Sequence, residues 1–429
     1  MLWISEKECL YACDAWWGEH NSAPSVLTFA FQPSPKMDFI GERYYKLNKI
    51  LLLCLGLWPY QNSRLKIIQA IFYQTLFISF LLCQVNAFLT KKYSINLVVK
   101  MCTFIIINCI FIIKYNAWIL LTNNIKYIFN IIQYDWNIIK AEEELKIIRG
   151  YANNARFYTI YFLLLVTIGL LGLFTLYTLT YIYDIIVPRN ESRPLQLPII
   201  VNCFIDEETY FFAILVHTII TNYAGGITIT AVGTMLIAYV QHNCAMFKIA
   251  SYRIEHIFDD NVLQMPKNIR QHILHEKLIY AVYIHRRAIN LAKILTNSFA
   301  TLYFILLGFG VASVSFNFLY ATTVLNNVIE LLISVGIIFV QLYYLFLGNY
   351  VGQNIIDASL DIHQITYNTQ WHVAPLWMQK LMLFIMQRSN KKSALTAGGL
   401  FDASLEGFAT LMSMAMSYFM VLHSVQIQE

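Results

Sequence analysis

The sequence predicts an all-α polytopic membrane protein with seven spanning helices. Three observations carry this: 58% of its 429 residues are apolar against 13% charged, the mean hydropathy is +0.54, and apolar runs long enough to cross a bilayer recur along the chain. Soluble chains carry about a quarter charged residues, so this one cannot cover a surface for water. An aromatic content of 15% also excludes disordered, collagen-like and disulfide-scaffold classes.

A hydrocarbon core of about 30 Å requires roughly 20 helical residues. Runs of that length lie near 67–90, 97–119, 157–182, 208–241, 296–320, 324–347 and 400–425. The fourth is too long for one upright helix and too short for two, and is read as one tilted helix softened at Gly225 and Gly226. An eighth apolar stretch, Leu376 to Met386, is too short to cross. It begins behind Pro375, which suits a first helical turn, and is expected to pack amphipathically inside the protein. Residues 1–36 are polar, end in Gln32-Pro33-Ser34-Pro35 and lack the apolar segment of a signal peptide, so a disordered extension is expected there.

Lys and Arg set orientation. Of thirty, twenty-three lie before the first span, between the second and third, between the fourth and fifth, and before the last. Only Lys91, Lys92, Arg189 and Arg193 lie on the opposite side, and Lys100, Lys114 and Lys293 fall inside helices. The expected topology has a cytoplasmic amino terminus and an extracellular carboxyl terminus. The sequon Asn190-Glu191-Ser192 falls on the outer side of this arrangement, a candidate glycosylation site. The net charge of +5 is therefore a topology signal and implies no nucleic acid. Eight scattered cysteines without CxxC spacing read as apolar packers, with no metal or cofactor expected.

Seven spans invite a G-protein-coupled receptor reading. All nine prolines lie outside the spans, however, NPxxY is missing, no Asp/Glu-Arg-Tyr stands at the third span, and the orientation is inverted. A transporter would show interrupted helices in corresponding halves, and only Gly225-Gly226 hints at that. No enzyme is expected: His272, His275 and Glu276 lack the register of a zinc-protease motif, and neither a P-loop nor GxSxG occurs. Glu330 is read as the main charge within a span, either functional or paired with Asn326 or Asn327.

The last run is more specific. Asp402, Glu406, Thr410, Ser413, Ser417, Val421 and Ser424 recur at steps of three and four, one face of a helix about 35 Å long. Such a face is costly against lipid. Two readings remain: close packing of small residues between helices, or the wall of a pore. In the second, hydroxyls replace hydration, inner carboxylates attract cations, and Val421 forms an apolar constriction. One helix cannot enclose a pore, so that reading requires several subunits, most simply four. In the outer halves of spans two to four, Met101 and Phe104, then Phe174, Tyr177 and Tyr181, then Tyr210, Phe211 and Ile214 suit a small hydrophobic ligand, with Gly169 and Gly172 leaving room beside them. Ordinary helix packing explains any single one of these more readily than a ligand does.

The segment Pro375-Leu-Trp-Met-Gln-Lys-Leu-Met-Leu-Phe-Ile-Met-Gln-Arg-Ser-Asn390, with Leu395-Thr-Ala-Gly398, Ser404-Leu-Glu406 and Ser417-Tyr-Phe419, resembles the carboxyl-terminal signature of insect odorant receptors. Leu57-Trp-Pro-Tyr60 resembles their first cytoplasmic segment. The resemblance runs from about Met37 to the end. It implies a ligand-gated, non-selective cation channel in which a tuning subunit assembles with a shared co-receptor as a heterotetramer in the plasma membrane of olfactory neuron dendrites. Its ligand would be a small hydrophobic odorant. It further implies a split seventh helix, whose first part joins extensions of spans four to six in an anchor and whose second lines the pore, with Val421 and Val425 at the gate. The organisation implied is 1–36 extension, 37–370 spans one to six with their cytoplasmic extensions, and 371–429 anchor helix and pore helix. Gustatory relatives end in TYxxxxxQF, whereas this chain reads Ser417-Tyr418 and then Ser424-Val425. The short segment from Met246 to Asn290 lacks the insertion of the co-receptor, which favours a tuning subunit. Gly399 stands where many relatives carry Lys.

Overall fold

The computed structural model describes residues 41–61, 64–90, 95–186, 199–203, 205–206 and 209–428. The expected extension at 1–36 and the sequon at Asn190 lie outside them. Among the described residues seven helices are long and apolar enough to cross a membrane: α2 (Arg64–Thr90), α3 (Ile95–Leu120), α5 (Glu142–Ile186), α6 (Phe211–Glu255), α8 (Lys267–Thr323), α9 (Val328–Asn368) and α11 (Leu405–Gln428). Each carries one of the seven apolar runs. Four shorter helices complete the fold, α1 (Glu42–Cys54), α4 (Thr122–Ile138), α7 (Asp260–Leu263) and α10 (Leu376–Ser389), with a 3-10 turn at Trp371–Val373. The seventh span is split as expected: between α10 and α11 stands a hairpin of β1 (Thr396–Ala397) and β2 (Phe401–Asp402), closed through Gly398 and Gly399 at φ +60° and +74°. A residue with a Cβ is strained at such angles, which favours glycine at both positions.

Helix length is the main departure from the hydropathy reading. With 57 residues, α8 is about 85 Å long, and α5, α6 and α9 have 45, 45 and 41 residues. All overshoot a 30 Å core, and their polar ends gather with α1, α4 and α10 into an anchor. Hydropathy reports only the apolar part of a helix. The anchor is held by side chains far apart in sequence. Asp135 of α4 is buried, accepts a 2.7 Å hydrogen bond from Arg287 Nε of α8 and lies 3.1 Å from His242 Nε2 of α6. Arg253 of α6 donates to both oxygens of Glu144 at 2.6 and 2.8 Å. The Leu57-Trp-Pro-Tyr60 turn folds over α3: Tyr115 donates to Leu55 O at 2.9 Å and Trp118 to Leu57 O at 3.2 Å. Tyr60 donates to Asn130 Oδ1, and burial pushes its phenol up to about 12. On α10, Met378, Met382, Ile385 and Met386 are buried, spacings that make one apolar helical face.

The central element is α6, whose most apolar stretch is 72% buried against 33% or less in the other six spans. It keeps its hydroxyls inside by bonding them to its own carbonyls, as Thr228 does to Ala224 O and Thr234 to Thr230 O. It passes Gly225 and Gly226 without interruption. Those glycines permit close approach: a Cβ on Gly226 would lie 2.7 Å from Val166 Cγ1 of α5, and one on Gly225 would overlap the Phe111 ring of α3.

Candidate ligand cavity and polar last helix

A cavity of about 640 Å³ lies among α3, α5, α6, α8 and α9 and reaches Leu395, Thr396 and Ala403, the residues around the hairpin that feeds α11. On α3 the wall is one helical face, Phe104, Ile107, Phe111 and Lys114. Of the residues expected at a ligand site, Phe104, Gly169 and Gly172 line this cavity. Nothing lies within 4 Å of a Cβ built on either glycine, so both face open space.

Met101 lies one turn beyond the Phe104 end of the wall and is buried in packing. Phe174 is not among the lining residues. Phe211 and Ile214 are buried and do not line it; Ile214 packs with Phe80, Cys83, Val201 and Ile199, the last of which does, while Tyr210 is exposed. Tyr177 and Tyr181 fall on α5 with side chains outside the described residues. The described cavity therefore sits deeper than the outer aromatic set. It includes three groups that sequence reasoning passed over: Lys114, Tyr303 and Tyr344. The available signal was a cation inside the second apolar run. Lys114 is 3% exposed. Its ammonium hydrogen-bonds the Tyr344 hydroxyl and stands 4.3 Å from that ring's centroid. Glu330, by contrast, stands at the first turn of α9. Its carboxylate accepts from Lys100 Nζ at 3.0 Å and from the Tyr320 hydroxyl at 2.6 Å. Asn327 accepts from the Glu330 backbone N–H as a helix cap, so the side-chain partner is Lys100 rather than an asparagine.

One face of α11 packs against the bundle. Leu411 and Ala415 join Leu307, Val311 and Val314 of α8, and Ser315 Oγ donates to Ala415 O at 2.9 Å. Farther along, Phe419 and Leu422 pack on Val99, Leu319, Tyr320 and Val324, beside the Lys100–Glu330 pair. The opposite face holds Glu406, Thr410, Ser413, Ser417, Val421, Ser424 and Val425, all exposed and left uncovered by the described helices of the same chain. Packing of small residues within one chain does not account for that face. Its hydroxyls donate to their own helix: Thr410 to Glu406 O, Ser413 to Ala409 O, Ser417 to Ser413 O and Ser424 to Val421 O, at 2.8–3.0 Å. Asp402 belongs to β2 and not to the helical face, and Lys392 Nζ donates to it at 2.6 Å. That carboxylate holds the Lys392 ammonium above its ordinary pKa.

The sequence profile of the 7tm odorant receptor family matches residues 94–416. Odorant receptor 9a of Drosophila melanogaster is 22% identical over 238 residues, covering 56% of each chain. The chain thus spans about half the length of the curated relatives it matches. The olfactory receptor OR5 of Machilis hrabei, solved with eugenol, superposes with a TM-score of 0.74 at 14% identity, over 90% of this chain and 98% of that one. OR5 solved in a second structure gives a TM-score of 0.73 at 15% identity, with the same coverage. The likeness in fold covers all but a tenth of the chain and the profile covers most of it. This multi-pass membrane protein belongs to the 7tm odorant receptor family.

Proposed function

We propose that the chain is the tuning subunit of an odorant-gated, non-selective cation channel. A small hydrophobic odorant occupies the cavity, and α11 from each of four subunits, shared with the co-receptor, lines the pore. The anchor, rich in Lys and Arg, lies in the cytoplasm, and the carboxyl terminus is outside. The site of action is the plasma membrane of olfactory neuron dendrites.

The observation that carries this reading is the continuity of the cavity wall with Leu395, Thr396 and Ala403, which connect directly to α11. Ligand can gate only through unequal affinity for closed and open states. A wall shared with the root of α11 gives occupancy a way to bias that helix. The hydroxyls of Thr410, Ser413 and Ser417 spend their protons on the backbone and turn lone pairs outward, the polarity a passing cation requires. Glu406 supplies the inner negative charge, Asp402 being neutralised by Lys392. Val421 and Val425 form the apolar constriction. Eugenol in the OR5 structure is a ligand of comparable scale.

Co-expression with a co-receptor, with odorants applied under full G-protein blockade, tests the channel directly. Current is expected, E406Q should lower cation over anion permeability, and S417A should change unitary conductance. Unaltered permeation in both variants would remove α11 from the pore. Tags at Met37 and Glu429 test orientation on intact cells, where antibody should reach only the latter.

A further inference from the structure

Lys114 is the sole charged side chain among the described residues lining the cavity, and no Asp or Glu faces it there. A buried ammonium without a counter-ion is costly, and such residues persist within a membrane where they do something. Its partner, the Tyr344 hydroxyl, is neutral. That bond uses one of three ammonium protons and leaves the phenolic proton of Tyr344 available to another acceptor. Gly233 of α6 makes room for this hydroxyl, because a Cβ there would lie 3.0 Å from it. The neighbouring threonines offer no competing donor: Thr230 donates to Gly226 O at 2.9 Å and Thr234 to Thr230 O at 2.7 Å. The remaining wall is overwhelmingly hydrocarbon, including Phe111, Phe162 and Leu306.

We propose that the cavity is selective for an aliphatic carboxylate, whose oxygens take the free protons of Lys114 and Tyr344 while its chain fills the apolar remainder. The ligand supplies the counter-charge that the protein omits. This deepens the reading of the cavity as the odorant site and rests on it. A ligand with no acceptor leaves the ammonium unpaired in hydrocarbon, so the same pair of residues penalises plain hydrocarbons of equal length. Charge-assisted pairing also distinguishes an acid from its ester, which offers acceptors without charge.

The test is equilibrium binding to the purified full chain with its co-receptor in nanodiscs, using tritiated octanoic acid and tritiated 1-octanol, each competed by methyl octanoate and octane. Wild type should bind the acid more tightly than the alcohol, with the ester and octane weak competitors. In K114M acid affinity should fall roughly 10- to 100-fold, while the alcohol stays within about twofold; K114R should retain much of the preference. Y344F should weaken the acid less than K114M does. Equal loss of acid and alcohol in K114M would reduce Lys114 to a structural part and overturn the proposal. So would an ester that binds as tightly as the acid, or an acid that wild type does not bind saturably. If the binding pattern holds yet octanoic acid evokes no current in cells with the co-receptor, the channel reading fails and the binding site stands.

Discussion

Gly352 on α9 touches the backbone of Ala403, two residues before α11 begins, and a single methyl group tests whether this contact joins the cavity wall to the last helix. In G352A the new Cβ would lie 2.5 Å from Ala403 Cβ and 2.9 Å from its carbonyl carbon. Carbon atoms rest at about 3.5–4.0 Å, so α9 and the root of α11 must part by roughly 1 Å. Overpacking of that kind costs about 1–3 kcal/mol. Gly to Ala also gains helix propensity of about 1 kcal/mol, which would mask part of the strain. G308A supplies the control: it sits in the long helix α8 with nothing within 4 Å of its Cβ, so it takes the same gain without strain. The difference between the two variants therefore isolates the strain at about 1–3 kcal/mol. Fluorescence-detected size-exclusion after heating should show G308A melting at or above wild type and G352A clearly below G308A. In the assembled channel, G352A should also shift the odorant dose–response, because the strained contact lies at the junction through which the proposed gating runs. Coincident melting of the two variants, with an unchanged dose–response, would refute the close contact and the coupling drawn from it.

In the anchor, D135A leaves Arg287 and His242 facing a buried vacancy. It should cost about 3–5 kcal/mol, read as a fall in melting temperature that D135A/R287M partly reverses. At the other end of the bundle, Lys100 and Glu330 form a pair that is 15% and 24% exposed. E330Q should lose roughly 1–3 kcal/mol of stability, and a double-mutant cycle with K100M should show coupling of the same order. Because Tyr320 joins that pair to the packing under Phe419 and Leu422, E330Q should also shift the dose–response, a change that a stability loss confined to α3 and α9 would not produce.

Seven spans were legible because each is an unbroken apolar run and lipid imposes that pattern strongly. The amphipathic α10 was legible for the same reason, since Met378, Met382 and Met386 repeat at helical spacing behind Pro375. The reach of α8 and α9 beyond the bilayer was not legible in hydropathy, which falls wherever a helix enters water although the helix continues; only the family resemblance implied it. The Asp135, His242 and Arg287 cluster joins residues up to 152 positions apart, and no local pattern announces it. Of the residues proposed from sequence for a ligand, Phe104, Gly169 and Gly172 line the cavity. Sequence could not tell which side chains face the cavity and which fill packing, as Ile214 and Met101 do. Lys114 was visible as a cation within a span, yet its importance depends on the absence of a carboxylate nearby, which only three dimensions reveal.

The largest fully buried side chains, among them Trp118, Trp136, Tyr115, Tyr239 and Phe247, share no member with the residues that line the cavity. Wall positions outside the main core, such as Phe104 and Leu306, can therefore change without touching those pieces, whereas Phe111, Phe162 and Val232 serve both the wall and the core. A lineage of such genes can drift in chemical taste at the first kind of position with less disturbance to the fold than at the second.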